Sequence, residues 1–143
     1  MSDLRPRFHL AFPVRDLAAT RRFYGEVLGC AEGRSAARWV DFDLYGHQLS
    51  AHVAEVHAIE DPAHNAVDGD AVPVRHFGLI LPPAQWQALR DRLADKAVEC
   101  FIGPRTRFAG EPGEQRTLFV RDPDGHALEF KSFADDRMVF ARS

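Results

Sequence analysis

At 143 residues the chain has the length of one domain, and its 45% apolar and 27% charged content is that of a globule with a real core. No apolar run approaches the ~20 residues that a membrane helix needs, and a net charge of −3 with scattered basic residues argues against a nucleic-acid partner. The segment Met1–Pro6 has no apolar stretch of the secretory kind, so a cytoplasmic address is the expectation. Cys30 and Cys100 stand alone, outside any Cys-x-x-Cys, and do not suggest a structural disulfide there.

Residues 7–14 alternate, with Phe8, Leu10 and Phe12 on one side and His9, Ala11 and Pro13 on the other, which predicts a strand. Asp16 is a good helix N-cap, an apolar stripe of Leu17, Thr20, Phe23, Tyr24, Val27 and Leu28 follows, and Gly29 ends it. Short strands are expected near 31–35, 38–44 and 48–54, the last two joined by a tight turn at Tyr45-Gly46-His47. Residues 55–73, with Pro62, Asn65, Asp68, Gly69, Asp70 and Pro73, show no sustained period and read as a linker.

The pattern then restarts. A strand is predicted over 74–81, with His76, Gly78 and Ile80 opposite Phe77, Leu79 and Leu81. Pro82-Pro83 opens a helix whose core stripe is Trp86, Leu89, Leu93 and Ala97. Strands near 98–102, 115–121 and 126–133 complete the unit, the last two joined at Asp122-Pro123-Asp124-Gly125. Residues 103–116 read as a long loop, and 134–143 carry no clear pattern. The second half thus repeats the first. Gly46-His47-Gln48-Leu49 is echoed by Gly125-His126-Ala127-Leu128, and His9 before the first helix is echoed by His76 before the second.

This doubled βαβββ unit resembles the vicinal oxygen chelate superfamily, which includes glyoxalase I, extradiol dioxygenases, fosfomycin-resistance enzymes and bleomycin-resistance proteins. The resemblance covers roughly residues 7–133. It rests on His9, on the Asp16-Leu17 to Val27-Leu28-Gly29 helix, on His76, and above all on the closing stretch from Asp122 to Phe130. It implies an α+β fold in which two tandem βαβββ modules form an open, barrel-like cleft. The chain would be a single such domain, with module one at about 7–54, a linker at about 55–73, module two at about 74–133 and a tail at 134–143. The family's four metal slots, carried over by position, fall on His9, Ser50, His76 and Glu129.

Strand parity agrees, because Leu128 and Phe130 face the helix and Glu129 therefore faces the other way. An acid between large apolar neighbours is costly unless it meets a cavity, a cation or a partner. Lys131, on the same side, would neutralise it without a metal. His9, His76 and Glu129 are the donor set of non-haem Fe(II) sites, and they also suit Mn(II), Ni(II) or Zn(II). Serine is a poor donor and no base, so the set resembles the dioxygenase branch: an Fe(II) oxygen-using enzyme acting on a small, vicinal-oxygen substrate, aromatic compounds included. The alternatives are a glyoxalase-type lyase or isomerase or a thiol transferase, and a metal-free drug-binding resistance protein.

Gln48 and His52 share the parity of Ser50. His52 is a candidate general acid–base, and Gln48 and Ser50 are candidate substrate contacts. Arg107 and Phe108 sit in the predicted 103–116 loop, where an arginine would clamp an anionic substrate and Phe108 would form an apolar tip. Half-sheets with open edges suggest a homodimer.

Overall fold

The computed structural model describes residues 5–55 and 63–142. The chain divides into two compact units, 1–58 and 59–143. The first carries β1 (His9–Val14), helix α1 (Leu17–Arg21), β2 (Ala31–Ala36), β3 (Trp39–Leu44) and β4 (His47–Val53). The second begins with a hairpin, β5 (His64–Val67) and β6 (Asp70–Pro73). It continues through β7 (Phe77–Ile80), helix α2 (Pro83–Asp95), β8 (Ile102–Arg107), β9 (Gln115–Arg121) and β10 (Ala127–Phe133).

The repeat expected from the sequence is present. The first sheet runs β1-β4-β3-β2 and the second β7-β10-β9-β8, so each copy returns its last strand beside its first. That first–last pair is parallel in both copies, and the other pairings are antiparallel. Neither four-stranded sheet closes on itself. Among the described residues no helix is long and apolar enough to cross a membrane.

Asp16 caps α1 as its sequence context predicts, accepting from the backbone N–H groups of Ala18 and Ala19. Beyond Arg21 the helix widens, and the Leu28 N–H reaches back five residues to the carbonyl of Phe23. Gly29, at φ 80, then turns the chain into β2. Tyr24, Phe12 and Phe42 stack at 5.4–5.5 Å between ring centres and fill the space between this helix and its sheet. The second core is built around Trp86, which is buried with Leu89, Leu93, Leu118, Val120, Leu128 and Phe130.

The Trp86 indole N–H donates to the carbonyl of Phe130 at 2.8 Å, tying α2 to β10. Trp86→Phe keeps most of the packing and strands that bond. The expected loss is roughly 1–2 kcal/mol of unfolding free energy, read from the urea midpoint.

Two stretches differ from the sequence reading. Residues 64–73, read as linker, form the β5–β6 hairpin, with Asp68 and Gly69 at positive φ in its turn. Each strand has only four residues, too few to display a period. His57 and Pro62 lie outside the described residues. The strand read near 98–102 is displaced: residues 98–101 carry none, and 102–107, read mostly as loop, form β8. Its pairing with β9 slips between Ile102 and Arg105, and this irregularity accommodates Gly103 and Pro104. A side chain at Gly103 would lie 2.6 Å from the carbonyl oxygen of Thr117, so glycine is required there. The weakly patterned tail contains a short helical turn, Asp136–Met138.

Candidate active site

In the second unit Leu128 and Phe130 face α2, so Glu129 faces the opposite side of β10, together with Phe119 and Thr117 of β9. Glu129 is 7% exposed. One carboxylate oxygen, Oε2, accepts from the Thr117 hydroxyl and, at 3.1 Å, from Arg107. The other, Oε1, lies 3.3 Å from Nε2 of His76. Oε2 is committed to the protein, and Oε1 is the oxygen left to share.

His76 stands just before β7. Its Nδ1 donates to the carbonyl of Pro73 at 2.7 Å, which leaves Nε2 as the nitrogen presented to Glu129. The hydrogen bond to Glu129 raises the His76 pKa above its ordinary 6.5. Burial opposes that rise, the Pro73 carbonyl and the Glu129 charge support it, and the Lys131 charge lowers it. For Glu129, burial pushes the carboxyl up. The hydrogen bonds from His76 and Thr117, with the charges of Lys131 and Arg107, outweigh burial and hold it below its ordinary 4.5.

These shifts predict a pH profile for the metal-free protein. The raised His76 contributes stability that is full below 6.5 and lost as pH rises through its folded value. The depressed Glu129 contributes stability present above 4.5 and lost as pH falls through its folded value. Unfolding free energy of chelator-treated protein is therefore expected to be greatest between 4.5 and 6.5 as far as this pair decides it. His76→Gln is expected to remove the decline on the alkaline side; urea titrations across pH measure it.

Arg107 is the largest departure from the sequence reading. It lies at the end of β8, not in a loop, and is 3% exposed. Its guanidinium joins Glu129 to Asp70 of β6, at 3.1 and 3.4 Å, and lies over the Phe119 ring. The counter-charge in contact with Glu129 is therefore Arg107, and Lys131, suggested for that role by parity, acts at longer range. Arg105 pairs with Asp68 and Asp70, and the Phe108 N–H donates to Asp68. Phe108 is half-buried at φ 53. Arg116 stacks on Trp86 at 4.1 Å, on the helix side. The acidic turn of the hairpin thus holds both Arg105 and Arg107.

The first unit orders its histidine in a similar way. Gln48 Nε2 donates to Asp41 at 3.3 Å, so its Oε1 is the acceptor for His9 Nδ1, at 2.8 Å. His9 is exposed, with its Nε2 free of this bond. Ser50, 6% exposed, donates to the other Asp41 oxygen at 2.6 Å. His52 is exposed at the far end of β4, beside Trp39. Asp41, Asp70 and Thr117 are the site residues that sequence reasoning did not single out. Asp41 was accessible to it: the tight turn at Tyr45-Gly46 sets the register in which Asp41 faces Ser50 and Asp43 faces Gln48.

A ≈210 Å³ cavity in the second unit is lined by His76, Gly78, Glu129 and Lys131 among others. The 3.3 Å between His76 Nε2 and Glu129 Oε1 suits one shared proton. It also suits two ligands of one cation, since bonds of about 2.1 Å set neighbouring donors roughly 3.0–3.4 Å apart. With their outer atoms held by Pro73, Thr117 and Arg107, the two residues fit a divalent metal chemically. Among the described residues no three His, Cys, Asp or Glu side chains are grouped so as to hold a metal ion by themselves.

Comparison with known proteins bears on this arrangement. The family model for the Glyoxalase/Bleomycin resistance protein/Dioxygenase superfamily matches residues 8–130. A solved structure of a glyoxalase/bleomycin resistance protein/dioxygenase from Alicyclobacillus acidocaldarius is similar at 30% identity and a TM-score of 0.82, covering 98% of this chain and 100% of that one. The fosfomycin resistance protein FosX from Listeria monocytogenes shares the fold at 19% identity and a TM-score of 0.64, over 97% and 99% of the two chains. A glyoxalase/dioxygenase from Nostoc punctiforme does so at 21% and 0.65, over 93% and 94%. With its duplicated β-α-β-β-β topology and a family match spanning most of both copies, the chain belongs to the glyoxalase/bleomycin resistance protein/dioxygenase superfamily.

Proposed function

We propose that the protein is a metal-dependent enzyme acting on a small molecule with two neighbouring oxygens, with His9, His76 and Glu129 as the metal ligands. The observation that carries this reading is the preparation of the His76–Glu129 pair. Each outer atom is fixed by the protein, and Nε2 and Oε1 are left facing each other at 3.3 Å. His9 has the same preparation, its Nδ1 held by Gln48. A bound divalent cation would supply Lewis acidity toward the substrate oxygens. Fe(II) is the metal expected from the donor set, with Mn(II), Ni(II) and Zn(II) as alternatives.

The reaction class turns on Asp41. Fe(II) dioxygenase chemistry follows from a donor set whose fourth position is a serine. But Ser50 is bonded to a half-buried carboxylate, so a proton acceptor accompanies that position after all. Asp41 orients Gln48 and Ser50, and it can accept a proton through the serine hydroxyl. This favours a non-oxidative lyase, isomerase or transferase reaction over oxygen insertion, with His52 as a further proton carrier from the same face of β4. A homodimer in the cytoplasm is the setting we expect.

The test is oxygen consumption. Protein loaded anaerobically with Fe(II), or with Ni(II) or Mn(II), is screened against vicinal diols, catechols and α-hydroxy-carbonyl adducts. Turnover without oxygen uptake, lost in Asp41→Asn, supports the base-assisted reading. Stoichiometric oxygen uptake with a catechol, unaffected by Asp41→Asn, returns the assignment to the dioxygenase branch.

A further inference from the structure

The first unit contains a second cavity, of ≈410 Å³, on the face of its sheet that carries Asp41 and Gln48. Arg7, just before β1, and Arg34, in β2, line it from the two edges of the sheet, and His47 adds to the wall. The acidic groups in this cavity are already engaged. Asp41 accepts from Ser50 and Gln48, and Asp43 accepts from the Gly46 N–H at 2.6 Å. The arginines are not: neither Arg7 nor Arg34 has a hydrogen-bond or ion-pair partner among the described residues.

His47 extends the pattern. Its Nδ1 accepts from the backbone N–H of Phe8 at 3.0 Å, so in the neutral ring Nε2 carries the proton and is a donor. Gln48 is committed to His9 and Asp41. Beside the two carboxylates the cavity therefore holds two guanidinium groups and a ring N–H that have no side-chain partner among the described residues. Both Asp41 oxygens and Oδ1 of Asp43 already accept a hydrogen bond from within the fold.

We infer that this cavity binds an oxyanion group of a small molecule, a carboxylate or a phosphate-like group, through Arg7, Arg34 and His47. A guanidinium meets such a group with two parallel N–H donors, and two guanidinia from opposite sides fix its orientation. The inference deepens the proposed function by naming the substrate class, an anionic small molecule. The assignment to substrate rests on that reading, because the same cavity includes Gln48, the partner of His9.

The experiment uses chelator-treated full-length protein, so its outcome does not depend on the metal reading. Backbone amide resonances are followed at low ionic strength while inorganic phosphate, acetate or uncharged glycerol is added. Saturable shifts confined to residues 7–8, 33–34 and 46–48 are expected with at least one of the anions and not with glycerol. The better of phosphate and acetate identifies the group. The double variant Arg7→Gln/Arg34→Gln is expected to weaken binding about tenfold or more, and Arg90→Gln, on the exposed side of α2, to leave it unchanged. His47→Gln keeps an N–H donor and is expected to bind more tightly than His47→Ala. Non-saturating shifts, no response to either anion, or equal losses in Arg90→Gln and the double variant would overturn the inference.

Discussion

Replacing Arg107 by methionine is expected to destabilise the protein by about 3 kcal/mol or more. The guanidinium is almost wholly buried and touches two carboxylates, Glu129 and Asp70. Without it Asp70 keeps Arg105, but the buried Glu129 is left with His76 and Thr117 alone, and desolvation then pushes it towards its neutral form. The methionine retains much of the packing over Phe119, so the loss reports charge and not a cavity. The double variant Arg107→Met/Glu129→Gln removes the orphaned charge and is expected to recover part of the stability. If the single variant unfolds at the wild-type urea concentration, the Arg107–Glu129 contact is not the clamp described above.

Gly78→Ala is expected to be as damaging by a different route. Gly78 of β7 sits opposite Glu129 of β10, and a Cβ there would fall 1.6 Å from the Glu129 carbonyl oxygen. The obstruction is backbone, so no rotamer change relieves it, and the strands must separate or the register must slip. A cost of at least about 3 kcal/mol follows from overpacking of this severity. His76 stands two residues earlier, so a folded remnant is also expected to have lost the 3.3 Å approach of His76 to Glu129. Denaturation midpoints measure the first effect, and the histidine ring proton shifts measure the second. Wild-type values for both would contradict the packing described.

The features legible in the sequence were the repeated strands and those set by local rules. The strand parity of Leu128, Glu129 and Phe130, the Asp16 cap and the Gly29 stop all follow from local rules, and the structure agrees with each. What escaped were features that depend on pairing across the chain. Arg107 looked like a loop arginine because Gly103-Pro104 interrupts the strand pattern, and only the slipped register with β9 brings it to Glu129. Asp70 looked like linker because four-residue strands have no readable period. Asp41 lay among aromatic residues with imperfect alternation, and the hairpin register, more than composition, gives it its partners Ser50 and Gln48.

The most direct test of the central claim is the metal content of protein purified without chelators and reloaded with Fe(II), Mn(II), Ni(II) or Zn(II). One equivalent per chain is expected for the preferred metal. It should be lost in His76→Ala and Glu129→Gln, lowered at least tenfold in affinity in His9→Ala, and weakened in Gln48→Leu through the loosened His9 ring. Circular dichroism of each variant confirms that it remains folded. A folded wild-type protein that binds none of the four metals, or one that binds them equally well in all four variants, would contradict the claim that these side chains hold a catalytic cation.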